Sequence, residues 1–149
     1  MNDVNAVEIL LVEDNPRDAE LTIRALKKHN LANKLFHVED GVEALDFLFG
    51  RGKYIGRDIN DSPKVVLLDL KLPRINGLEV LRTLKEDERT QTIPVVIVTS
   101  SAEDPDVQMA YQLGANSYVV KPVQFDAFIE AMTKLGIYWL MVNHLTNKK

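Results

Sequence analysis

Three short runs constrain this chain more than anything else in it: "ILLV" at Ile9–Val12, "VVLLDL" at Val65–Leu70 and "PVVIVT" at Pro94–Thr99. None shows the apolar–polar alternation of a strand with one wet face. Segments like these must be covered on both sides, which is the condition of strands in a parallel sheet. Two weaker strand patterns, around Lys34–Glu39 and at Ser117–Val120, bring the expected number to five.

Helical patterns fill the intervals. Asn15-Pro16 opens the first, with the proline in the first turn where its missing N–H costs nothing, and Ala19, Ile23 and Leu26 form its inner face. Gly41 leads into a second, with Val42, Leu45, Leu48 and Phe49 apolar. A third spans Leu78–Glu86 with Leu81 and Leu84 inward, and a fourth spans Asp106–Leu113 and closes at Gly114. The fifth starts at Gln124 with Phe125, Phe128, Met132 and Leu135 on one side. Strand and helix alternating in this way predict an α/β, doubly wound five-stranded parallel sheet flanked by five helices.

The chain of 149 residues is expected to form one domain over residues 1–149. The irregular stretch "GRGKYIGRDINDSP", residues 50–63, is too short for a second domain and reads as a long surface loop. Residues 136–149 form an extension whose "IYWLMV" segment points apolar groups all round a helix. One face of a domain cannot bury them all, so the tail folds back or packs on a second subunit, and a symmetric homodimer is the expectation.

Net charge is −4 and the Lys and Arg residues are scattered, which argues against nucleic-acid and membrane partners. The absence of cysteine rules out disulfides, thiol catalysis and Cys-ligated zinc, and three histidines without metal-ligand spacing give no support to a His-rich site. Asp3 and Glu8 precede the first apolar run, so no signal peptide is expected and the location is expected to be cytoplasmic.

Chemistry gathers where the strands end. In an open α/β sheet, ligands bind beyond the carboxyl ends of the strands. The first strand runs into Glu13-Asp14, the third into Asp69, the fourth into Thr99-Ser100 and the fifth into Lys121-Pro122. Singly, each has a plain structural explanation. An acid pair caps a helix, Thr suits a strand, and Lys-Pro ends one. Together they put three carboxylates, a hydroxyl and an ammonium on one rim. Hard oxygen ligands with room for water suit Mg²⁺, and crowded carboxylates call for a cation. With that charge neutralised, Asp69 is placed to act as a nucleophile toward phosphorus.

These motifs, "LLVEDNP", "LLDLKLPRINGLEVL", "IPVVIVTSS" and "GANSYVVKP", resemble in kind and order the receiver domains of two-component response regulators. The resemblance implies the flavodoxin-like receiver fold with strand order 2-1-3-4-5. It also implies Asp69 as phosphoacceptor. Asp14, Asp69 and the backbone carbonyl of Lys71 would contact Mg²⁺, with Glu13 acting mainly through water. Lys121 would pair with the phosphoryl oxygens, Thr99 would hydrogen-bond them, and Tyr118 would be the switch aromatic. A cis Lys121–Pro122 peptide would aim the lysine. Lys71 and Ser101 occupy positions that tune phosphoryl lifetime in the family.

The resemblance further implies a sensor histidine kinase as partner. The long loop and the tail "LGIYWLMVNHL" resemble the regulators paired with phytochromes. Output would come from the face of the fourth helix, fifth strand and fifth helix, to a partner or to a twin subunit. The protein would be a signalling switch with its own phosphorylation and dephosphorylation activity rather than an enzyme acting on a substrate. The rival is a phosphorylation-independent assembly module that keeps only the receiver shape. A metal-dependent phosphatase would need a second acid two residues after the nucleophile, where Lys71 stands.

Overall fold

The computed structural model describes residues 7–28 and 34–134. The 136–149 extension and Leu135 lie outside the described residues, and so does the side chain of Phe125. In chain order the elements are β1 (Ile9–Val12), α1 (Pro16–Lys27), β2 (Leu35–Val38), α2 (Gly41–Phe49), β3 (Val65–Leu68), α3 (Gly77–Glu86), β4 (Val95–Thr99), α4 (Asp104–Gln112), β5 (Ser117–Val120) and α5 (Phe125–Lys134).

The strands form one parallel sheet in the order β2-β1-β3-β4-β5. Register aligns the carboxyl ends: Val12 pairs with both Val38 and Leu68, Leu68 with Ile97, and Thr99 with Val120. The period of two along each strand then divides the core. Leu10, Val12, Val66, Leu68, Val95 and Ile97 face Phe47 and Leu48 of α2 and Leu81 and Leu84 of α3. Ile9, Leu11, Val65, Leu67, Val96 and Val98 face Ala19 and Leu26 of α1 and Phe128 and Met132 of α5. Burial on both faces is why the three central runs carry no polar alternation.

Helix starts follow local chemistry. Asn15 caps α1, its side-chain oxygen accepting from the N–H groups of Arg17 and Asp18 at 2.9 and 3.0 Å. Asp40 caps α2 through the Glu43 N–H, and Asn76 caps α3 through the Glu79 N–H. With Asn15 as the cap, Asp14 is not committed to that task.

Several boundaries differ from the sequence expectation. β3 stops at Leu68 rather than Leu70, because the chain leaves the sheet there and closes a turn in which the Gly77 N–H bonds the Leu70 carbonyl. α4 begins at Asp104, two residues early, since Pro105 fits its first turn. On α2, Phe47 is wholly buried while Val42 and Phe49 are only half-buried. Residues 50–63 do more than cross the surface. Tyr54 packs edge-on against Phe36 and Phe47, and Arg57 is buried with its guanidinium 4.1 Å from the centre of the Phe47 ring. Among the described residues no helix is long and apolar enough to cross a membrane.

Candidate functional site

The carboxyl ends of β1, β3, β4 and β5 form one rim, and the residues that follow them meet there. Glu13 comes straight off β1 and is buried. Its N–H bonds the Val38 carbonyl, its Oε2 accepts from the Asn15 N–H at 3.1 Å, and its carbonyl oxygen lies 2.7 Å from His37 Nε2. A carbonyl only accepts, so that ring nitrogen carries the proton. The Glu13 side chain is thereby fixed to point across the rim, while Asp14 stays exposed.

Asp69 follows β3 and is also buried, its N–H bonded to the Val12 carbonyl at 3.1 Å. Its Oδ1 accepts from the Lys71 N–H at 3.2 Å. The loop behind it allows no bulk: a Cβ built on Gly77 would lie 2.0 Å from the Asp69 carbonyl oxygen. Only glycine lets the start of α3 approach the acid so closely.

Lys121 follows β5, its N–H bonded to the Thr99 carbonyl at 2.8 Å, and its peptide to Pro122 is cis. Its ammonium lies 2.6 Å from Glu13 Oε1, 2.8 Å from Asp69 Oδ2 and 2.9 Å from Asp18 Oδ2. Burial acts against the charge on Lys121, but its bonds to Asp69, Glu13 and Asp18 outweigh that and hold its pKa well above the ordinary value. Burial pushes the Glu13 carboxyl up to about 7, assisted by the charge of Asp69 and opposed by the bonds from Lys121 and Asn15.

Carboxylate oxygens of Glu13, Asp14 and Asp69 all lie within 4.8 Å of one another. Such hard donors, one of them exposed, fit a divalent cation that keeps part of its water. Thr99 ends β4 fully buried, and its Oγ1 has no hydrogen-bond partner among the described residues. Tyr118 is half-buried on the α4 side, its hydroxyl donating to the Ser101 carbonyl at 2.8 Å. Ser101 in turn donates to Asp106 Oδ2 at 2.5 Å.

Glu13, Asp14, Asp69 and Lys121, each predicted from a strand end, thus converge, with Thr99 at the end of the neighbouring strand. Sequence reasoning missed Asp18. An acid in the first turn of a helix ordinarily serves the helix dipole and leaves no separate signal. The Ser101–Asp106 pair was missed as well, because it depends on where α4 begins.

A family model described as the response regulator receiver domain matches residues 9–133. The probable methanogenesis regulatory protein FilR2 of Methanothrix harundinacea (strain 6Ac) is 39% identical over 135 residues, covering 89% of this chain and 83% of that protein. Among solved structures, the bacteriophytochrome response regulator AtBRR is 53% identical with a TM-score of 0.80, covering 88% of this chain and 93% of its own. The Mn²⁺-bound form of response regulator Rcp1 is 34% identical with a TM-score of 0.71, covering 88% and 91%. The phosphorylated cyanobacterial phytochrome response regulator RcpA is 33% identical with a TM-score of 0.72, covering 89% and 92%.

Proposed function

The chain belongs to the response regulator receiver family, and from that premise we propose that Asp69 accepts a phosphoryl group from a sensor histidine kinase, with Mg²⁺ as the cofactor. The observation that carries this reading is the Lys121 ammonium, shared between Asp69, Glu13 and Asp18 beside an exposed acid. It offsets the charge of a buried nucleophilic carboxylate. That Rcp1 has a Mn²⁺-bound form and RcpA a phosphorylated one supports the same chemistry here.

An Asp69 carboxylate oxygen forms a bond to phosphorus as the P–N bond of phosphohistidine breaks. The imidazole leaves neutral, having taken up a proton, and an acyl phosphate remains. Glu13, Asp14, Asp69 and the Lys71 carbonyl would hold the Mg²⁺, whose charge when bound offsets the crowded oxygens. Lys121 turns its N–H donors to the phosphoryl oxygens. Thr99, whose buried hydroxyl lacks a partner among the described residues, gains one in the same oxygens.

As Thr99 moves toward the phosphoryl group, the β4–α4 loop moves with it. Tyr118, whose hydroxyl is bonded to the Ser101 carbonyl of that loop, changes position with it. The readout is the α4-β5-α5 face, where Met109, Tyr111 and Val120 are exposed. We assign that face, with the 136–149 extension, to a homodimer or a partner, and the protein to the cytoplasm. The likeness to AtBRR supports a phytochrome as the sensor kinase.

Intact mass and sizing chromatography before and after incubation with acetyl phosphate and Mg²⁺ test the reading. One added phosphoryl group, absent in Asp69→Asn, is expected together with a change in apparent size. No phosphoryl uptake from any donor would move the protein to the assembly-module reading.

A further inference from the structure

An ammonium has three N–H donors. Lys121 has three carboxylate neighbours: it donates to Asp69 and Asp18 and forms an ion pair with Glu13. Two of the three, Glu13 and Asp69, belong to the acid group that a cation would draw on. The third, Asp18, does not. It sits on the first turn of α1, its side chain about one-third exposed. It faces a groove of about 220 Å³ that Leu21, Thr22, Ser100, Pro122 and Val123 complete and that opens beside Lys121.

An incoming phosphoryl group therefore meets a negative charge bonded to the very cation it needs. We infer that Asp18 is a specificity-determining residue: it tethers Lys121 in the resting protein and repels small, highly charged phosphodonors that approach that ammonium. The inference rests on Asp69 being the phosphoacceptor. Asp18 acts through Lys121 and through its own field, so it is a positioning residue that forms no bond to phosphorus. Uptake from a free dianion is penalised. A phosphohistidine carried on a protein, whose surface can neutralise Asp18 as it docks, is penalised less. The tether thus lowers background phosphorylation by metabolites without closing the route from a kinase.

The test compares initial rates of phosphoryl uptake, with Mg²⁺ present, in wild type, Asp18→Asn, Asp18→Glu and Glu20→Gln. The last removes the same charge from the same helix at a residue paired with Arg24 instead of Lys121. The donors are acetyl phosphate, mostly dianionic near neutral pH, and phosphoramidate, which carries one net negative charge. Asp18→Asn is expected to raise the rate constant for acetyl phosphate roughly three- to ten-fold, mainly through a lower half-saturation concentration, and to raise that for phosphoramidate less. The advantage should shrink as salt shortens the Debye length from about 30 Å at 0.01 M to about 3 Å at 1 M. Asp18→Glu should restore wild-type behaviour and Glu20→Gln should match wild type.

Equal changes for both donors, insensitivity to salt, or a rate of uptake no higher than wild type in Asp18→Asn would each overturn the inference while leaving the phosphoacceptor intact. Failure of the wild type to take up any phosphoryl group would overturn both. Thermal melting separates these outcomes from a folding defect, since a purely structural Asp18 would lower the melting point and leave donor discrimination unchanged.

Discussion

Two neighbouring parts of the rim are built on opposite rules. Around Lys121, charges are matched: three carboxylates lie 2.6 to 2.9 Å from its ammonium, which donates to two of them, and Glu13 is held further by Asn15. One strand away, and among the described residues, Thr99 is buried with an unpartnered hydroxyl and a single hydrogen bond to Ser101 holds the Tyr118 hydroxyl. α4, which packs beside them, buries only Ala110 and exposes Met109 and Tyr111. The first region needs a fixed geometry to bind charge. The second is short of partners in the resting state, so a new acceptor nearby can reorganise it at little cost.

The contrast breaks most completely at Asp69. Asp69→Asn should abolish phosphoryl uptake, read by intact mass, while the circular dichroism spectrum stays that of the folded protein. It removes the nucleophile but leaves the apolar core on both faces of the sheet untouched. Lys121→Ala separates the two regions differently. It should retain cation binding at Glu13, Asp14 and Asp69 yet fail to pass phosphorylation on to the α4-β5-α5 face, read as an unchanged sizing profile.

The next effect is steric. In Gly77→Ala the new Cβ would stand 2.0 Å from the Asp69 carbonyl oxygen and 2.6 Å from the Leu70 Cα, both backbone atoms that cannot swing aside. A cost of about 3 kcal/mol in urea unfolding is expected. Phosphoryl uptake should slow as well, because the loop that must shift carries the acceptor. A variant that lost stability with normal uptake would show that the geometry at Asp69 is less exacting than the matched bonding suggests.

Sequence alone revealed the matched region far better than the other. The central strands are buried on both faces, so their composition announces them, and the site residues are whatever comes next in the chain: Glu13 and Asp14 after Val12, Asp69 after Leu68, Lys121 after Val120. Asp18, Ser101 with Asp106, and Arg57 were not legible in this way. Each owes its role to an approach across the fold: α1 to the β5–α5 loop, a loop serine to the first turn of α4, and a loop arginine to the Phe47 ring. In sequence they are ordinary surface polar residues, and nothing in their spacing marks which will find a partner.

Smaller again is the effect of pH on the matched region. Glu13 moves from 4.5 to about 7 in the folded protein, chiefly through burial. Between those values the folded chain keeps a proton that the unfolded chain has lost. Its contribution therefore makes the cation-free protein less stable as pH rises through this window, and it is level above about 7. A bound divalent cation requires the carboxylate, so Mg²⁺ affinity should climb across the same window. Urea midpoints in EDTA at pH 5 and pH 8, with Glu13→Gln to subtract other groups, measure the first. Titration calorimetry at the same two pH values measures the second. A slope unchanged by Glu13→Gln would place the proton elsewhere.

The finest test falls on the unmatched side. Threonine to valine is ordinarily costly in a core, because the hydroxyl has a partner to lose. Thr99 Oγ1 has none among the described residues. Thr99→Val exchanges that hydroxyl for a methyl of similar size, so it should stabilise the unphosphorylated protein by up to about 1 kcal/mol in urea unfolding. The same variant should still take the phosphoryl group on Asp69, since Thr99 is not the nucleophile, yet its Tyr118 ring resonances should stay as in the resting protein. Stability gained and switching lost, in one substitution, is the signature of a hydroxyl kept unpaired for a later partner. If Thr99→Val is instead destabilised by 1 kcal/mol or more, the hydroxyl is already satisfied at rest. The asymmetry between the two halves of the rim then disappears.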